Sequence, residues 1–124
     1  MLHLVLTTAR PEALQDFAAA LASDPGVKLQ CVISGAEALE AARTTAPHLV
    51  IIDAHLPDLA PFDLVQKLLM VNAMVNTAVV SPLSDAEFHE TSEGLGILGR
   101  LPEDPGESEA ADLLRNLKTV LGIG

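Results

Sequence analysis

The residues best placed to do chemistry lie in LVIIDAHLPD, residues 49–58. An apolar run meets a carboxylate at Asp53, and His55, Leu56-Pro57 and Asp58 follow. A carboxylate in that position can attack an electrophile, ligate a metal with an imidazole such as His55, or close a buried strand by accepting loop amides. The other histidines are His3, His48 and His89, and the set lacks metal-ligand spacing. A transition-metal centre is therefore not expected. Cys31, the only cysteine, can form no internal disulfide and is expected to pack in the core as a small hydrophobe.

Periodicity shows which strands and helices carry these residues. Apolar segments occur at 2–6, 27–33, 49–52, 77–81 and 96–101. Residues 27–33 alternate, as on a half-covered strand, whereas 49–52 is continuously apolar, as on a strand buried on both faces. The last segment, GILGRL, is weakened by its glycines. Between the segments lie helical patterns. Leu14, Phe17, Ala18 and Leu21 share one face after Pro11, and Leu64, Val65, Leu68 and Leu69 share another. Ser34/Glu37 and Ser84/Glu87 read as capping boxes. Leu113, Leu114, Leu117, Val120 and Leu121 line a last helix that Gly122 would stop.

Strand and helix alternating through the chain predict an α/β fold, with a five-stranded parallel sheet covered by helices on both faces. The expected topology is doubly wound and flavodoxin-like, in strand order 2-1-3-4-5, with one domain spanning residues 1–124. In such sheets ligands meet the carboxyl ends of the strands. That rule selects Thr7, Thr8, Asp53, Ser81 and the Leu101-Pro102 step.

Bulk composition narrows the function further. The chain has 124 residues, 49% of them hydrophobic, with a net charge of −10 and seven scattered Lys and Arg residues. Phosphate backbones need clustered cations, so a nucleic-acid groove is not expected. No apolar run approaches the ~20 residues of a membrane span. No charged segment precedes an apolar leader core. A soluble, cytoplasmic domain is the expectation. One stretch is unusual: LLMVNAMV, 68–75, is more apolar than a surface helix and its exit require. It is either deep core with a buried turn, or an exposed patch through which Met70 and Met74 meet a protein partner.

Over essentially its whole length the chain resembles the receiver domains of two-component response regulators. HLVIIDAHLPDLAPFDLVQKL is similar to the family's phosphoacceptor stretch, with Asp53 at the acceptor position. Ser81 falls at the family's switch hydroxyl, and Pro102 at the proline of its Lys-Pro step. The resemblance implies transfer of a phosphoryl group to Asp53 with Mg²⁺ held by an acidic pair, the acceptor and a backbone carbonyl, and with a lysine on the phosphoryl oxygens. This sequence departs from that pattern. Thr7 and Thr8 replace the acidic pair, and a register slid by two residues offers only Ala9 and Arg10, which would repel a metal. Leu101 replaces the lysine, and the adjacent Arg100 is expected to face the other side of the sheet. An ionised Asp53 then has no evident cationic partner, so Asp53→Asn is expected to leave stability unchanged or raised.

The sequence thus reads as a degenerate receiver, not an enzyme, in bacterial phosphorelay signalling. It is expected to act by phosphorylation-independent contact with a histidine kinase, an effector domain or another signalling protein, with a homodimer possible through the 68–75 stretch. No cofactor is expected, and Mg²⁺ only weakly, no tighter than millimolar, because a lone carboxylate is a poor Mg²⁺ site. The alternative is a working phosphoacceptor that uses Asp53 with an unusual or absent metal. A ligand-binding flavodoxin-like domain is a third reading. Two enzyme or cofactor motifs can be set aside. Asp-x-His-x-x-Gly, a cobalamin motif, would need glycine at Asp58, and a dehalogenase-type phosphatase would need Asp-x-Asp after the first strand.

Overall fold

The structure, a computed structural model, describes residues 1–123. Strands β1 (Leu2–Thr7), β2 (Val27–Val32), β3 (Leu49–Ile52), β4 (Asn76–Val80) and β5 (Gly99–Leu101) alternate with the helices. These are α1 (Gln15–Ala22), α2 (Gly35–Thr45), α3 (Pro61–Val71), α4 (Asp85–Thr91) and α5 (Glu107–Leu121), with a short 3-10 turn at Pro11–Leu14. The strands form one parallel sheet in the order β2-β1-β3-β4-β5. That is the expected doubly wound topology.

Strand alternation divides the interior into two cores. Leu4, Leu6, Leu49 and Ile51 point to the α1/α5 side, where they meet Phe17, Leu21, Leu113 and Leu117. Val5, Val50 and Ile52 point to the opposite side, against Ala38, Leu64, Leu68 and Phe88. All four residues of β3 are buried, which explains their continuous apolar character. The 15-residue α5 ends at Gly122 in the left-handed region (φ 74°), where only glycine avoids a steric penalty. Ser84 and Glu87 close a full capping box on α4. At α2 the Ser34 hydroxyl accepts the Glu37 N–H, but the Glu37 carboxylate reaches back to the Ile33 N–H instead of that of Ser34.

One expectation needs correction, and one alternative that the sequence left open is decided. Cys31 is exposed, and Ile33 beyond it is 60% exposed. β2 is an edge strand, and its residues packed on the α1/α5-side core stop at Leu29, so Cys31 on that face meets solvent while Val32 is buried in the opposite core. In the 68–75 stretch, of the two alternatives, the two methionines follow the exposed one. Leu68 and Val75 are buried, but Met70 and Met74 are 87% and 85% exposed. Met70 lies on the side of α3 opposite to Leu64 and Leu68, which face the sheet.

Candidate functional site

Asp53 leaves the carboxyl end of the central strand, where its N–H donates to the Thr7 carbonyl at 2.9 Å. Its side chain is fully buried. Four donors converge on the carboxylate. Oδ2 accepts from Thr8 Oγ1 at 2.7 Å and from Arg10 Nε at 2.8 Å. Oδ1 accepts from Arg10 Nη2 at 2.9 Å and from the Ala54 N–H at 2.7 Å. The guanidinium thus grips the carboxylate in a bidentate fork, the strongest arrangement such a pair can take.

The expectation that Asp53 has no cationic partner is therefore overturned. Arg10 follows β1 in the connection to the 3-10 turn, and its side chain returns over the strand end. The loop is shaped for this. The Arg10 N–H donates to Thr8 Oγ1 at 3.0 Å, and Nη2 also donates to the Glu103 carbonyl at 3.2 Å. Burial opposes ionisation of Asp53. The hydrogen bonds from Arg10, Thr8 and Ala54, together with the guanidinium charge, outweigh it and hold the carboxyl below the usual carboxylate range. The same hydrogen bond to Asp53 raises the pKa of Arg10 against its own desolvation. Both groups are charged at neutral pH.

The remaining predicted positions are brought to this edge but not to the carboxylate. Thr7 is buried, and its hydroxyl has no hydrogen-bond partner among the described residues. Ser81 is buried at the end of β4, and its Oγ accepts from the Leu83 N–H at 3.2 Å, within its own turn. Leu101 is 5% exposed and packs into the α1/α5-side core. Arg100 faces the other way, as strand alternation requires. It donates to Asp85 Oδ1 at 2.8 Å and to the Ser81 carbonyl at 3.1 Å. Its charge is thereby directed to the start of α4.

The histidines do not assemble a metal centre. His55 is exposed and lies 3.7 Å from a Glu103 carboxylate oxygen. His3 and His48 sit at strand starts, where His48 Nδ1 accepts the His3 N–H at 3.0 Å. No cluster of three or more His, Cys, Asp or Glu side chains suited to a metal occurs among the described residues.

Asp58 has a role that reading the sequence missed. Its two carboxylate oxygens accept the Gly35 and Ala36 N–H groups, both at 2.9 Å. It therefore caps α2 from the loop that carries Asp53, at the positive end of the helix. The approach is close: a Cβ at Gly35 would lie 2.6 Å from Leu59 Cδ1. The capping partner lies over twenty residues away in sequence, and local pattern carries no signal for it.

No protein-family model matches the chain, and no curated protein matches it in sequence. Solved structures do match. A LuxR-family two-component response regulator from Aurantimonas sp. SI85-9A1 is 16% identical, with a TM-score of 0.79 over 97% of this chain and 84% of the other. The chemotaxis response regulator CheY4 of Vibrio cholerae is 18% identical, with a TM-score of 0.82 over 94% and 98%. The signal receiver domain of an HD domain-containing protein from Pseudomonas fluorescens Pf-5 is 19% identical, with a TM-score of 0.83 over 98% and 89%. The fold is that of response regulator receiver domains.

That fold family implies Mg²⁺ beside the acceptor, and the residues present do not suit it. Mg²⁺ needs oxygen ligands in a near-octahedral set, usually including carboxylates. Here Thr7 and Thr8 supply no charge, both Asp53 oxygens are engaged by donors, and a guanidinium lies against them. A second cation would meet Arg10 before it met a free carboxylate. No helix is long and apolar enough to cross a membrane among the described residues.

Proposed function

We propose that this chain is a receiver-like signalling module, one domain over residues 1–124, that acts by protein contact and not by accepting a phosphoryl group. The observation that carries this reading is the bidentate Arg10–Asp53 pair. An attacking carboxylate needs a free lone pair directed at the phosphorus and a cation to neutralise the phosphoryl oxygens. At Asp53 the lone pairs face Arg10, Thr8 and Ala54, and no lysine extends from position 101. Ser81 engages Leu83, so the hydroxyl serves its own turn. Incubation with a small phosphodonor and Mg²⁺, followed by intact mass measurement, is expected to give no phosphoryl adduct. A stoichiometric adduct lost in Asp53→Asn would restore the working-acceptor alternative.

The partner in this reading is a histidine kinase, an effector domain or another signalling protein, met in the cytoplasm. Met70 and Met74 are the contact residues we favour, because both are over four-fifths exposed and flank Val71, itself 36% exposed. Methionine is flexible and polarizable, which suits an adaptable apolar contact. Burying two such side chains is worth roughly 3 to 6 kcal/mol before association costs. Replacing both with lysine is expected to weaken association with a partner or a second copy while leaving Tm nearly unchanged. A collapse of the fold in the double variant would show that the two side chains are needed for packing.

A further inference from the structure

We infer that Arg10 is a counter-ion supplied by the chain itself, taking over at Asp53 the charge-compensating role that the fold family gives to a divalent cation. This rests on the reading of Asp53 as a non-acceptor and extends it to how the site is held. Three observations converge. The donor set does not suit a metal, since the carboxylate is the only acid side chain among the hydrogen-bonded groups of the cluster. The guanidinium pairs both carboxylate oxygens at hydrogen-bonding distance. Its Nη2 also reaches the Glu103 carbonyl, so one side chain links the ends of β1 and β3 to the connection between β5 and α5.

A metal ion binds and leaves with its concentration, whereas an arginine in the chain cannot. The compensation of Asp53 therefore does not wait on a bound cation. The arrangement also depends on arginine specifically. Lysine offers a point charge and cannot span Oδ1, Oδ2 and a carbonyl with a planar fork. Thr8 completes the cluster by donating to Asp53 while accepting the Arg10 N–H, so the loop backbone and the side chain are positioned together.

The test is a double-mutant cycle read by thermal unfolding, with and without millimolar Mg²⁺, using wild type, Arg10→Gln, Asp53→Asn and the combined variant. Wild-type Tm is expected not to respond to Mg²⁺. Each single variant is expected to lose about 5–10 °C. The combined variant should lose no more than the worse single one, because both substitutions break the same pair. Arg10→Lys, which keeps the charge without the fork, should fall between wild type and Arg10→Gln, and it serves the comparison if Arg10→Gln does not fold. Additive losses, or a wild-type Tm that climbs with Mg²⁺, would overturn the inference. A phosphoryl adduct on wild type with a non-additive cycle would instead sink the functional reading and leave the counter-ion in place.

Discussion

Leu14→Ala is expected to destabilise the protein by about 3 kcal/mol, within the range measured for buried Leu→Ala changes. Leu14 belongs to the 3-10 turn, is 0% exposed, and packs in the core between the sheet and the α1/α5 layer. The turn is short, and its start is the backbone that directs Arg10 at Asp53. A cavity beneath it therefore removes packing and loosens the fork together. Denaturant unfolding should show a lower midpoint with an unchanged m-value, since the surface exposed on unfolding barely changes. An NMR titration should show the Asp53 carboxyl moving up toward its ordinary range as Arg10 disengages. A loss below about 1 kcal/mol would mean that the turn repacks around the smaller side chain, contrary to this account.

Asp53→Asn is expected to cost about 2 kcal/mol at neutral pH, the scale of hydrogen bonds made to a charged group. Arg10 is about a third exposed, so the freed guanidinium can hydrate, which keeps the loss below that of a fully buried broken pair. The sign of the pH dependence follows from the lowered carboxyl pKa. Such a group adds stability above its unfolded value of about 3.9, and the contribution is lost as pH falls through the folded value. The gap between wild type and variant should thus be widest at neutral pH and close in acid, where wild-type Asp53 is itself neutral. A gap that stays constant into acid would assign the loss to shape and not to charge.

That expectation reverses what the sequence suggested, and the reason is instructive. Strand periodicity assigns faces, and it correctly sent Arg100 away from Asp53 and left Leu101 without charge at the site. It cannot follow a long side chain that starts beyond the strand and turns back over its end. Arg10 was therefore visible as a residue hostile to a metal but not as the partner of Asp53. The sheet order was legible because five apolar segments alternate with helical faces, and β3 is apolar throughout because it is buried on both sides. Edge coverage was not legible. Alternation placed Cys31 on the same face as Leu29 but could not say that packing would stop short of it. Likewise the methionines at 70 and 74 share an apolar composition with Leu68 and Val75; the turn of α3 separates Met70 from Leu68, and the connection after the helix leaves Met74 outside while Val75 is buried.

The acidic helix starts have an electrical consequence. Asp16, Glu37, Asp63, Asp85, Glu87, Glu107 and Glu109 all lie in first turns. Because the sheet is parallel, every one of those turns opens at the edge where the strands end. Lys28, Arg43 and Lys118 lie toward the opposite end, and the last two pair with Glu40 and Asp24 there. Arg10 and Arg100 offset part of this charge at the strand ends, but acid still predominates there, and the molecule is polarised along its strands. Such a field orients an approaching body before any contact forms, drawing a cationic surface to the acidic pole and turning a second copy away from it. Salt within a physiological range screens this reach to about 8 Å, so encounter rates carry the asymmetry far more than the stability of the fold does.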